Sequence, residues 1–241
     1  MKFQGMTERP DKSVLIATAA YWMLMLFMIP IVLIYFTYGF HEEDAILGWV
    51  EIVYHVVNLI AVSYIFREHL SDCWLSVQLH TKKVLLTALV GVVAAVLLSE
   101  MVSFVGQFLL PVPEVAYNAA PLVELELFLF PKMLAQSQPL LGTLVIVSSS
   151  VTVACLLYAT GFSPACCRRP WLGYVVVIGM LILHRNFFYY TVGTAELAVS
   201  MFLMQLPIHL IACATYHYTD SIWTPIFMLA ALNLLGCVGI I

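Results

Sequence analysis

The amino-acid sequence predicts an all-α, polytopic transmembrane helical bundle with a cytoplasmic N-terminus, and three observations carry that prediction. The chain is 63% hydrophobic and only 10% charged, with a mean hydropathy of +0.98, whereas soluble domains are about half apolar. Its apolar residues gather into runs of about 20, the length of helix that crosses a bilayer. Its basic residues fall in alternate connections between those runs. An open sheet would leave unpaired backbone groups in lipid, so the runs are read as helices.

Seven spans are expected, over residues 13–38, 46–66, 84–108, 140–162, 171–190, 195–217 and 221–241. The first follows Lys2, Arg9 and Lys12 and is too long for the apolar core of a cleaved signal peptide, so it reads as a retained helix. With the N-terminus inside, Lys2, Arg9, Lys12, Arg67, Lys82, Lys83, Arg168 and Arg169 lie on the cytoplasmic side, leaving only Lys132 and Arg185 of the ten basic residues elsewhere. The first exterior connection, Phe40-His41-Glu42-Glu43-Asp44, is acidic. Between the third and fourth spans, 111–139 is apolar in the middle but broken by Pro111, Pro113, Pro121, Pro131 and Pro139, and a re-entrant or interfacial piece is expected there. Its Glu124 and Glu126 are two apart and would point to different faces of a helix. No repeat or change of composition divides the chain, so residues 1–241 are read as a single transmembrane domain. The lipid bilayer is its first partner. The chain has no basic patch suited to nucleic acid, its formal net charge being -4.

Chemistry is sparse along these runs. The six cysteines, at 73, 155, 166, 167, 213 and 237, show no spacing suited to a metal, and those inside apolar runs pack as small hydrophobes. No metal and no cofactor are expected. Ser148-Ser149-Ser150 lacks the flanking glycines of a nucleophile elbow and reads as helix packing. Ionisable and amide groups within spans are costly unless paired, so each is either a helix contact or a site. Glu51, His55 and Asn58 share one face of the second span. Glu51 reads equally well as an interfacial carboxylate, and Arg185 as a residue reaching for the headgroups. His209, just after Pro207, reads first as a hydrogen-bonded helix contact. Glu100, His184 and Asn233 lie deeper and require partners, which makes them the candidate interior site.

The run Thr219-Asp220-Ser221-Ile222-Trp223-Thr224-Pro225-Ile226 and His184 resemble the CAAX protease and bacteriocin-processing (Abi) family of glutamic-type intramembrane peptidases. The likeness is strongest over 170–236, with a weaker echo in Trp49–Trp74. The family's FxxxH motif falls on Met180–His184, keeping the histidine, and its HxxxN motif on Leu229–Asn233, keeping the asparagine. The position of its EExxxR motif shows Val151, Thr152 and Leu156, so the expected base is missing. The resemblance implies a multi-pass protein of the plasma membrane, and of the bacterial cytoplasmic membrane in particular. With the motifs degraded, it implies a non-proteolytic member that binds a membrane-anchored peptide or lipoprotein, a lipid, or a partner membrane protein. The alternative is an active intramembrane peptidase or acyl hydrolase/transferase with a relocated glutamate base. In that case His184, Asn233 and Glu100 would be catalytic, with Glu124, Glu126 and His209 at the substrate; Glu124 or Glu126 could also supply the base.

Overall fold

The computed structural model describes residues 12–23, 44–109, 139–163, 169–182 and 195–238. Among the described residues the chain is helical and contains no strand. The helices are α1 (Lys12–Met23), α2 (Asp44–Ile65), α3 (Arg67–Leu79), α4 (Thr81–Leu109), α5 (Pro139–Val153), α6 (Pro170–Leu181), α7 (Ala195–Thr219) and α8 (Trp223–Val238), and α5 runs on through a π turn, Ala154–Ala159. All except α3 overlap the seven apolar runs. Residues 110–138, with the expected re-entrant piece, lie outside the described residues.

Prolines mark several of the helix starts. Pro139 and Pro170 open α5 and α6, and Pro225 sits in the first turn of α8, where its missing N–H would have no partner anyway. The α2–α3 boundary is a bend at the buried Phe66 (φ -100, ψ 14). Backbone pairing continues through it, Phe66 N donating to Val62 O at 2.9 Å and Leu70 N to Phe66 O at 2.8 Å. Between α7 and α8 the chain reverses at Asp220, whose φ is +50. Thr219 Oγ1 closes that turn, donating to Thr215 O at 2.7 Å and lying 2.7 Å from Thr224 Oγ1.

The core forms where α8 packs against α4, α5 and α7, with α2 on the far side of α5. Along α4, Val84, Ala88, Gly91, Val92 and Ala95 are buried, a helical stripe of mainly small residues. A methyl group on Gly91 would meet Met228 Sδ at 2.8 Å and Thr215 Cγ2 at 2.9 Å, so α4, α7 and α8 touch there. The other side of α4 exposes Leu85, Leu86, Leu89, Val90, Val93 and Leu97. A continuous apolar face of that extent is unusual on a soluble monomer. The segments Thr81–Val102 and Leu140–Ala159 are each long and apolar enough to cross a membrane, with hydropathies of 2.3 and 2.2.

Side-chain contacts bring six helix ends together. Trp223 Nε1 donates to Leu70 O at 3.0 Å, tying the start of α8 to α3 beside the end of α2. Lys83 Nζ, at the start of α4, donates to Tyr218 O at 3.2 Å near the end of α7. Phe162, just past the π turn, packs edge-on against Tyr174 of α6 (5.2 Å) and Tyr216 of α7 (5.7 Å). A hydrogen bond from Tyr21 OH to Asn58 Oδ1 joins α1 to α2. Four of the five described basic residues, Arg67, Lys82, Lys83 and Arg169, therefore lie at one end of the bundle.

Gly91→Val should lower the thermal unfolding midpoint of the detergent-solubilised protein by an amount equivalent to about 1–3 kcal/mol, the usual cost of overpacking. An unchanged midpoint would mean that the three helices do not meet at Gly91.

Candidate functional site

The described interior is stitched together by hydroxyls, amides and imidazoles. Tyr158, fully buried in the π turn, has its hydroxyl 2.7 Å from His209 Nδ1 of α7. Two features loosen the backbone around this pair. Pro207, inside α7, cannot donate to the carbonyl four residues earlier. Across from it the π turn widens α5, where Thr160 Oγ1 donates to Cys155 O at 3.2 Å. Single π turns of this kind are frequent at functional positions.

Further polar contacts link the other helices. Between α5 and α8, Asn233 Nδ2 donates to Ser150 Oγ at 3.4 Å, and Ser150 Oγ donates to Ile146 O at 2.8 Å. Between α3 and α7, Tyr216 OH lies 3.3 Å from His69 Nε2, with Cys73 Sγ 3.8 Å from the same nitrogen. Between α2 and α5, Ser148 Oγ donates to the backbone carbonyl of His55 at 2.5 Å. The serine run thus packs helices, and Asn233 turns its amide nitrogen toward a protein acceptor.

The other expected residues are placed less simply. His209 is buried and engaged with Tyr158. Glu100 is exposed on α4 rather than turned into the interior. It lies twelve residues beyond Ala88, a rotation of about 120° away from the buried stripe at about 100° per residue. The interior position expected for Glu100 is therefore corrected, because the small residues of α4 and not its carboxylate face α7 and α8. His184, Glu124 and Glu126 lie outside the described residues, as does the side chain of Glu51. His55 and Asn58 do share a side of α2, but Asn58 serves α1 while His55 offers α5 its carbonyl.

The positions where the resemblance expects the first and last motifs lie on packed helices. Val151 and Leu156 on α5 are buried, as is Leu229 on α8, the helix whose Asn233 bonds to Ser150. Thr152 Oγ1 is buried without a hydrogen-bond partner. The side chains of Glu68, Asp72, Glu100 and Asp220 are described and all are exposed. No group of three or more His, Cys, Asp or Glu that could hold a metal ion occurs among the described residues, and Cys73, Cys155 and Cys213 form no disulfide. The described polar side chains of the interior are bonded to one another across helix contacts.

Comparison with protein-family models, with curated proteins and with solved structures finds no match to this chain.

Sequence reasoning missed the Tyr158–His209 and His69–Tyr216 pairs. Pro207, two residues before His209, was the one local signal of a disturbed backbone. Nothing in Ala154–Ala159 marks a π turn, and pairing across helices is not readable from spacing along one.

In a double-mutant cycle, Tyr158→Phe and His209→Leu should each destabilise the protein, with a coupling energy of about 1 kcal/mol, typical of a hydrogen bond between membrane helices. Denaturant unfolding of the reconstituted single and double variants measures it. Additive losses would mean that the two side chains do not interact.

Proposed function

We propose that this chain is a seven-span membrane protein with a cytoplasmic N-terminus that binds a membrane-embedded partner, a peptide, lipid or protein, without cleaving it. The observation that carries the topology is the gathering of Arg67, Lys82, Lys83 and Arg169 at one end of the bundle. Positive residues cluster on the cytoplasmic side of membrane proteins, because they resist translocation. Two helices of spanning length and the exposed leucine and valine face of α4 support the same reading.

The binding role is supported by the polar interior. Its described groups, Asn233 with Ser150 and Tyr158 with His209, can exchange their mutual hydrogen bonds for bonds to a ligand's amide or carbonyl. Peptide hydrolysis of the CAAX type needs a base to activate water, and Val151 and Thr152 occupy the positions where the resemblance expects two glutamates. On this reading the membrane fold is kept and the peptidase chemistry is lost.

Single cysteines introduced at Lys12, Lys82 and Arg169 of a variant whose six native cysteines are replaced by alanine should react in spheroplasts with a membrane-impermeant maleimide only after the membrane is opened; labelling in intact cells would invert the topology. Purified protein in liposomes, offered membrane-anchored and prenylated peptides, should leave them uncut by mass spectrometry. Cleavage that disappears in both His184→Ala and Asn233→Ala would replace the binding role with that of a peptidase using a relocated carboxylate.

A further inference from the structure

The polar contacts of the interior leave Glu100 without a role, and the side of α4 that carries it is ordered. Leu86, Val90, Val93, Leu97, Glu100 and Phe104 follow one another at alternating steps of four and three residues. All six are exposed, the five apolar ones between 53% and 63%. At about 100° per residue they fall within a stripe about 80° wide, narrow enough for one neighbouring helix to cover. Ala88, Gly91 and Ala95, which pack inside the bundle, lie on the opposite side. A row of apolar residues at these steps is the seam along which two helices mesh.

The row contains one group that lipid does not accept. Glu100 stands past the middle of the 29-residue α4, by about 8 Å at the helical rise, and so within a hydrocarbon core about 30 Å thick. Among the described residues it has no hydrogen-bond or ion-pair partner. A carboxyl side chain turned to hydrocarbon is costly, and in membrane helices such groups face protein or a wet cavity. The described lysines and arginines all stand at helix ends, so the group that a second copy of this chain offers at the same depth is its own Glu100. Copies of a membrane protein share one orientation, and a two-fold axis along the membrane normal sets their α4 helices side by side and parallel. Each residue of the row then meets its counterpart.

We infer that the exposed row of α4 is the interface of a homodimer, in which Leu86, Val90, Val93, Leu97 and Phe104 pack against the same residues of the second copy and the Glu100 carboxyl hydrogen-bonds to its counterpart. One polar pair in an otherwise apolar seam also fixes the register and the number of partners. The inference rests on the membrane topology proposed above, of which it needs only that α4 cross the bilayer in one orientation. It does not need the ligand-binding role.

The test uses the full chain in liposomes, carrying an N-terminal fluorescent protein. Single-molecule photobleaching should show two-step spots whose fraction rises with the protein-to-lipid ratio. Glu100→Leu should weaken dimerisation about fivefold, the weight of one hydrogen bond between membrane helices. Glu100→Gln, which keeps a donor and an acceptor, should preserve it. In a second measurement, single cysteines replacing Val93 or Leu97 in a variant whose six native cysteines are alanine should crosslink copy to copy on oxidation. One replacing Val175 of α6, comparably exposed at 54%, should not. Single-step spots at every ratio overturn the inference, since lipid or another protein then covers the row. A dimer that tolerates Glu100→Leu, or that crosslinks at Val175 and not along the row, also overturns it by placing the contact elsewhere, with the spans intact. Release of the chain from the liposomes by alkaline carbonate overturns the topology and the dimer together.

Discussion

The reversal at Asp220 is the constraint on which the rest of the bundle hangs. Left-handed backbone is costly for most side chains, and Asp is among the few that adopt it readily. There it turns α7 into α8 within a few residues, with the two threonine hydroxyls closing the turn. That short connection keeps α7 and α8 packed against each other, so Thr215 and Met228 can meet at Gly91. From the same turn Tyr218 takes hold of α4 and Trp223 of α3. The order of the helix ends therefore depends on a chain reversal whose own interactions are all local.

Away from that turn, helices are joined by individual hydrogen bonds at wide intervals. In lipid, apolar side chains gain little from leaving the solvent, because the solvent is itself apolar, and close packing and polar contacts decide which helices stay together. The distribution here fits that pattern. Small residues line α4 where three helices meet, and single polar pairs join α5 to α7, α5 to α8 and α3 to α7. Each contact also fixes rotation, since an unsatisfied hydroxyl or amide turned toward hydrocarbon would be costly.

The helices were legible from the sequence because long uninterrupted apolar runs mark them, and seven of the described helices overlap those runs. Helix α3 was not, because Arg67-Glu68-His69 and Ser71-Asp72 make its run too polar for a span, and a mixed run between basic residues reads as loop. The environment of Asn233 could be anticipated from the cost of an unpaired amide, but not Ser150 as its partner. Glu100 lies well along its apolar run yet is exposed, because depth along a helix does not fix which side meets its neighbours. Ala88, Gly91 and Ala95, small and at helical spacing, already marked which side of α4 faces its neighbours. Tyr158 carried no signal at all, since its role depends on a backbone departure that no residue type announces.

That departure has a consequence for the register of α5. A π turn accommodates one more residue than the α-helical turn it replaces, so the residues beyond it lag by about 100°. Ser148 and Ser150 before it address α2 and α8, while Tyr158 within it and Phe162 after it address α7 and α6. One helix thereby serves two sets of neighbours without a break in its helical backbone. A lineage that lost a single residue within Ala154–Ala159 would regain a regular helix there but would rotate the tyrosine out of reach of His209. Such a chain could keep its hydropathy and nearly all of its length and still be a differently assembled protein.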